Sequence, residues 1–152
     1  MKQMYVMHCT WKYKNWRDLF SYCLNNANKF RIVFPGSMAQ IDPNNPLGEG
    51  KKEFLNLKDI EIRNATNTKD SIQLEGVLGR ESRDLLLKFQ EPSFNGNMSH
   101  LWNFSIQKDD VFSLEIQDFS VALLTSSENY IKELEKTGIN ITNEWDKVTE
   151  QR

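Results

Sequence analysis

Two histidines, His8 and His100, and two cysteines, Cys9 and Cys23, are the side chains of this 152-residue chain best suited to acid–base, nucleophilic or transition-metal chemistry. Their spacing argues against a shared site. His8 and Cys9 are neighbours in an extended segment, where consecutive side chains point to opposite faces. His100 has the parity of Trp102, Phe104 and Ile106 and reads as the end of a core-facing strand. Cys23 falls on the apolar face of a helix, where a free thiol behaves as a small hydrophobe. No metal and no cofactor is expected, and two thiols do not make the dense disulfide framework of a small secreted domain.

Other patterns that resemble chemistry dissolve on inspection. The run Gly48-Glu49-Gly50-Lys51-Lys52 lacks the first glycine of a phosphate loop, because Asn45 stands there. Lys52 also replaces the hydroxyl that would hold magnesium. The acidic residues Glu81, Asp84, Asp109 and Asp110 fall at expected turns, where carboxylates serve the backbone. An enzyme with dispersed carboxylates is an alternative reading, and it requires two of them across a cleft. Four Asn-x-Ser/Thr sequons start at Asn64, Asn97, Asn103 and Asn140, but fifteen asparagines produce such matches by chance.

What is left is Trp11-Lys12-Tyr13-Lys14-Asn15-Trp16-Arg17, where rings and positive charges interleave. Rigid aromatic rings beside Arg and Lys anchor protein partners, and they also stack on bases and neutralise phosphate. Trp16 belongs to the apolar face of a helix, so Trp11, Tyr13, Lys14 and Arg17 are the candidate partner-binding residues. The acidic set Glu81, Asp84, Asp109 and Asp110 is the alternative partner-binding surface, suited to a basic partner.

These residues must be positioned by a small number of elements. Tyr5, Met7, Cys9 and Trp11 alternate along a first strand. Trp16, Leu19, Phe20, Cys23, Leu24 and Ala27 repeat with helical period over 15–27, with Asn15 as the expected N-cap. Residues 30–34 follow as a second strand, making the helix a crossover if both strands join one sheet. The loop 35–50 holds three of the four prolines and three of the seven glycines, and its length suits a functional or mobile segment. Strands are then expected over 53–63, 71–78, 84–90, 101–107 and 111–125, joined as a meander by turns at 79–82 and 108–110. The alternation slips at Asp59 and again at Asp118, which places a bulge or corner at each. A last helix over 126–137 opens on Thr125-Ser126-Ser127-Glu128 and stops at Gly138, with Tyr130, Ile131 and Leu134 facing the sheet. Residues 143–152 read as a polar, fraying tail.

The fold class expected is α+β: one domain over 1–142, with a mainly antiparallel sheet of about seven strands and two helices on its faces. A chain of 17.8 kDa can bury a sizeable core without metal or disulfide support. Residues 1–35 carry a net +5 and the rest −7, a polarity that either steers a charged partner or neutralises itself on folding. No export signal is read in the first eight residues, and no apolar run approaches the roughly 18 residues of a membrane span. The expectation is a cytoplasmic monomer that binds another protein. By analogy of class, with no motif behind it, the type is the cytoplasmic bacterial immunity protein that neutralises a cognate toxin. A nucleic-acid or nucleotide-binding module using the basic aromatic segment is the alternative, though a sequence pI near 5.7 is acidic for such a domain.

Overall fold

The computed structural model describes residues 2–7, 13–34, 50–64, 71–90, 101, 103–117, 121–141 and 145–148. Among them an antiparallel sheet of eight strands lies under four helices. In chain order the elements are β1 (Lys2–Met7), α1 (Tyr13–Asn26), β2 (Lys29–Phe34), α2 (Lys51–Leu55), β3 (Ile60–Asn64), β4 (Ile72–Val77), α3 (Arg80–Phe89), β5 (Asn103–Lys108), β6 (Phe112–Gln117), β7 (Val121–Ser127), α4 (Glu128–Lys136) and β8 (Trp145–Val148). The strands lie in the order β3-β4-β2-β5-β6-β7-β1-β8. The α+β class is as expected.

Helix α1 carries the strongest sequence signal, and its six periodic residues Trp16, Leu19, Phe20, Cys23, Leu24 and Ala27 are all buried. It begins at Tyr13, which puts Asn15 inside the first turn and not at the N-cap. The helix crosses between β1 and β2 as expected, but the two strands do not pair. They run in the same direction with β5, β6 and β7 between them. Insertion of β2 between β4 and β5 also breaks the expected meander, which survives as the pair β3-β4 and as β5-β6-β7.

Four segments depart from expectation for identifiable reasons. In place of the strand expected over 84–90 lies α3, which ends at Phe89: Gly79 caps it, its N–H donating to Ser82 Oγ at 2.8 Å, and Ser82, Leu86 and Phe89 bury one face at i, i+4 and i+7. The run Leu85-Leu86-Leu87 fits either period, and the cap decides it. Residues 53–63 divide into α2 and β3 at Asp59, whose φ of 58° is the left-handed corner expected there. Residues 111–125 are two antiparallel strands, β6 and β7, with Gln117 opposite Val121; Asp118 lies outside the described residues. The expected tail contributes β8, which pairs with β1 and buries Trp145 against Met7 of that strand.

All four helices pack on one face of the sheet, not on both. Phe20 meets Phe104 edge-on at 6.0 Å, Phe54 of α2 lies between Phe34 and Phe89, and Tyr130 of α4 stacks on Phe112 at 4.6 Å. Trp16 is buried with its indole N–H donating to Gln90 Oε1 at 2.7 Å, so its polar edge is satisfied. Ser127 caps α4 by accepting from the Tyr130 N–H. At the other end Gly138, at φ 93°, lets Gly138 and Ile139 N–H groups return to the carbonyls of Glu135 and Leu134, closing the helix as expected. Gly50, at φ 80°, is required twice, because a Cβ there would come within 3.2 Å of the Phe89 ring.

Candidate functional site

With the helices on one side, the other face of the sheet is free of them, and strand alternation determines what it presents. On β2 the buried Phe30, Ile32 and Phe34 alternate with Lys29, Arg31 and Val33, which point away from the helices. The register carries one lateral row across all eight strands: Glu61, Glu75, Arg31, Ser105, Glu115, Leu123, Val6 and Asp146. This row divides the open face into two chemically distinct halves.

The β3-to-β6 half is mainly charged, with Val33 and the 70% exposed Val77 as its apolar members. Arg63 pairs with Glu61 at 2.8 Å and with Glu75 at 3.4 Å, Arg31 lies 3.6 Å from Glu115, and Lys29 lies 3.3 Å from Asp109. Gln73 donates to Glu75, and Gln117 donates to Glu115. A groove of about 470 Å³ opens in this half, with Asp59, Glu61 and Glu75 on the β3–β4 side and Lys29 and Arg31 on β2. The short side chains of Ser105 and Ser113, on β5 and β6, give it room.

The β7-β1-β8 half is apolar. Met4, Val121 and Val148 are 40%, 41% and 39% exposed, and Val6 and Leu123, directly opposite each other, are partly exposed between them. Met4 is opposite Thr125 on one side and Val148 on the other. Five apolar side chains thus share one face of three adjoining strands, with Lys2, Glu115, Gln117 and Asp146 around them. Single exposed hydrophobics are ordinary, whereas a contiguous patch with a polar margin is the arrangement of an interaction surface.

The residues singled out from sequence are distributed elsewhere. Trp11 lies outside the described residues, as do His8, Cys9, His100 and Trp102. Tyr13 opens α1, and Lys14 and Arg17 are exposed on the side of that helix turned from the sheet. Among the described residues neither forms an ion pair. Glu81 and Asp84 are exposed on α3, and Asp109 and Asp110 are exposed in the β5–β6 turn. Asn28 joins these two acidic segments to one end of the sheet: its carbonyl accepts from Leu78 N–H, just before α3, and its side-chain amide donates to Asp109 at 3.2 Å. Hydrogen bonds from Lys29 and Asn28 hold the Asp109 carboxyl below its ordinary range. Asp110 adopts φ 59° in that turn, so its place in the chain has a backbone reason.

Cys23 is a buried free thiol that accepts a hydrogen bond from the Tyr130 hydroxyl at 3.6 Å. Burial pushes its pKa up to about 12, and burial together with the neighbouring thiol raises that of Tyr130. Held protonated, Cys23 is a core residue and not a nucleophile. Among the described residues no three His, Cys, Asp or Glu side chains converge on a metal-sized position, and no helix is long and apolar enough to cross a membrane.

The open face was missed in the sequence because its halves are assembled laterally, from strands far apart in the chain. The signal present was the alternation in 29–34 and 121–127, which marks outward residues without saying which strands adjoin. Comparison of the chain with protein-family models, with curated proteins and with solved structures finds no match.

Proposed function

We propose that this protein is a protein-binding module whose interface is the apolar half of the open sheet face. The observation that carries the reading is the contiguous patch of Met4, Val6, Val121, Leu123 and Val148, fixed on a strand scaffold that needs no ordering on association. A rigid apolar centre with a charged margin favours binding because little conformational freedom is lost and water is released from apolar surface. The particular form we propose is an inhibitor that blocks another protein by covering it, of the kind represented by cytoplasmic bacterial immunity proteins acting on a cognate toxin. Lys14 and Arg17 on α1 point away from this face and form a separate surface.

The reading is tested by affinity capture from the native host, identification of the retained protein, and reconstitution from purified components. A discrete heterocomplex that suppresses the partner's activity supports it. Retention of nucleic acid instead, with affinity falling steeply as salt rises, would contradict it and favour the basic segment as the working surface.

A further inference from the structure

The charged half of the open face has its own chemistry. Its groove presents opposite charges on its two sides: carboxylates of Asp59, Glu61 and Glu75 on β3–β4 and the cations Lys29 and Arg31 on β2. Glu61 and Arg31 are two strand spacings apart, about 10 Å. We propose that this groove is a ligand site for a basic α-amino acid, with the ligand's carboxylate at Arg31 and Lys29 and its side-chain cation at Asp59, Glu61 and Glu75.

Three observations carry the assignment. The volume, about 470 Å³, lies in the range of small-molecule sites. The Arg31 side chain contacts Glu115 only at 3.6 Å and makes no hydrogen bond among the described residues, so its forked guanidinium keeps donors suited to a carboxylate. On the other side Glu61 and Glu75 share one guanidinium, Arg63, while Asp59 has no ion-pair partner among the described residues. Of the charged side chains lining the groove, two are cations and three are carboxylates, and this net charge of −1 complements a ligand of net charge +1. Ser105, Gln107 and Ser113 supply neutral donors and acceptors along the groove.

The site is independent of the protein-partner reading and is tested on the isolated protein by NMR titration with L-arginine and with agmatine, which lacks the carboxylate. Saturable shifts of the groove's backbone amides with L-arginine, and binding of agmatine weaker by at least about fivefold, are expected from loss of a charge-assisted contact. In folded Arg31→Gln that preference for L-arginine over agmatine should disappear, and in folded Glu75→Gln both ligands should weaken. Lys14→Gln should change neither. Equal binding of the two ligands, shifts that do not saturate, or an unchanged preference in Arg31→Gln would overturn the proposal.

Discussion

Glu61 and Glu75 stand directly opposite one another on β3 and β4, and the guanidinium of Arg63 reaches both, at 2.8 Å and 3.4 Å. Like charges at opposed positions of an antiparallel pair repel, so the edge strand β3 depends on Arg63 for local compensation. Arg63→Ala should lower stability by about 0.2–1 kcal/mol, the range for exposed pairs. Adding Glu61→Gln should restore most of the loss. Urea denaturation of the single and double variants checks this, and a more damaging double variant would show that the repulsion is not the cause.

Leu19 and Phe20 sit at the centre of the α1 face, 1% and 0% exposed. Leu19→Ala or Phe20→Ala should each cost about 2–5 kcal/mol through lost burial and the cavity left behind. Chemical denaturation measures it, with Lys14→Ala on the same helix as the surface control expected within about 0.5 kcal/mol.

Arg83 closes the C-terminus of α1 from a distant part of the chain. Its guanidinium donates to the carbonyls of Ala27 at 2.9 Å, Leu78 at 3.2 Å and Leu24 at 3.3 Å. Arg83→Ala removes all three bonds and should destabilise by about 1–3 kcal/mol. Arg83→Lys should recover only part, because an ammonium cannot reproduce the planar fork. Thermal unfolding of the three proteins would show the ranking.

Cys23 makes stability depend on alkaline pH. Its folded pKa is raised from 9.0 to about 12, so between these values the native state holds a proton that the unfolded state releases. The contribution is complete below about 9 and declines as pH rises toward 12. Cys23→Ala should therefore show a shallower loss of stability over that window than the parent protein. Parallel profiles would place the ionising thiol outside the core.

The local elements were legible in the sequence where one period dominates or where caps mark both ends. Six periodic residues defined the buried face of α1, and Ser127 with Gly138 bounded α4. Where a short apolar run fits two periods, as at Leu85-Leu86-Leu87, side-chain pattern alone favoured a strand and missed the cap made by Gly79 and Ser82. Lateral order was not legible at all. Nothing local says that β2 separates β4 from β5 or that β1 lies between β7 and β8, and those neighbours create both the groove and the apolar patch. The contiguous stretch Trp11 to Arg17 stands out in the sequence, yet its Lys14 and Arg17 point away from the open face.

The most direct test of the central claim is the affinity of the purified partner, by isothermal titration calorimetry, for Met4→Lys/Val121→Lys beside Lys14→Glu/Arg17→Glu. Met4 and Val121 are 40% and 41% exposed, so both double variants should fold, which circular dichroism verifies. Charges in the apolar half should weaken binding by at least about 2 kcal/mol, the scale of an interface hot spot, while the α1 variant binds normally. A folded Met4→Lys/Val121→Lys protein with unchanged affinity would contradict the account, and loss of binding in the α1 variant alone would place the interface on Lys14 and Arg17.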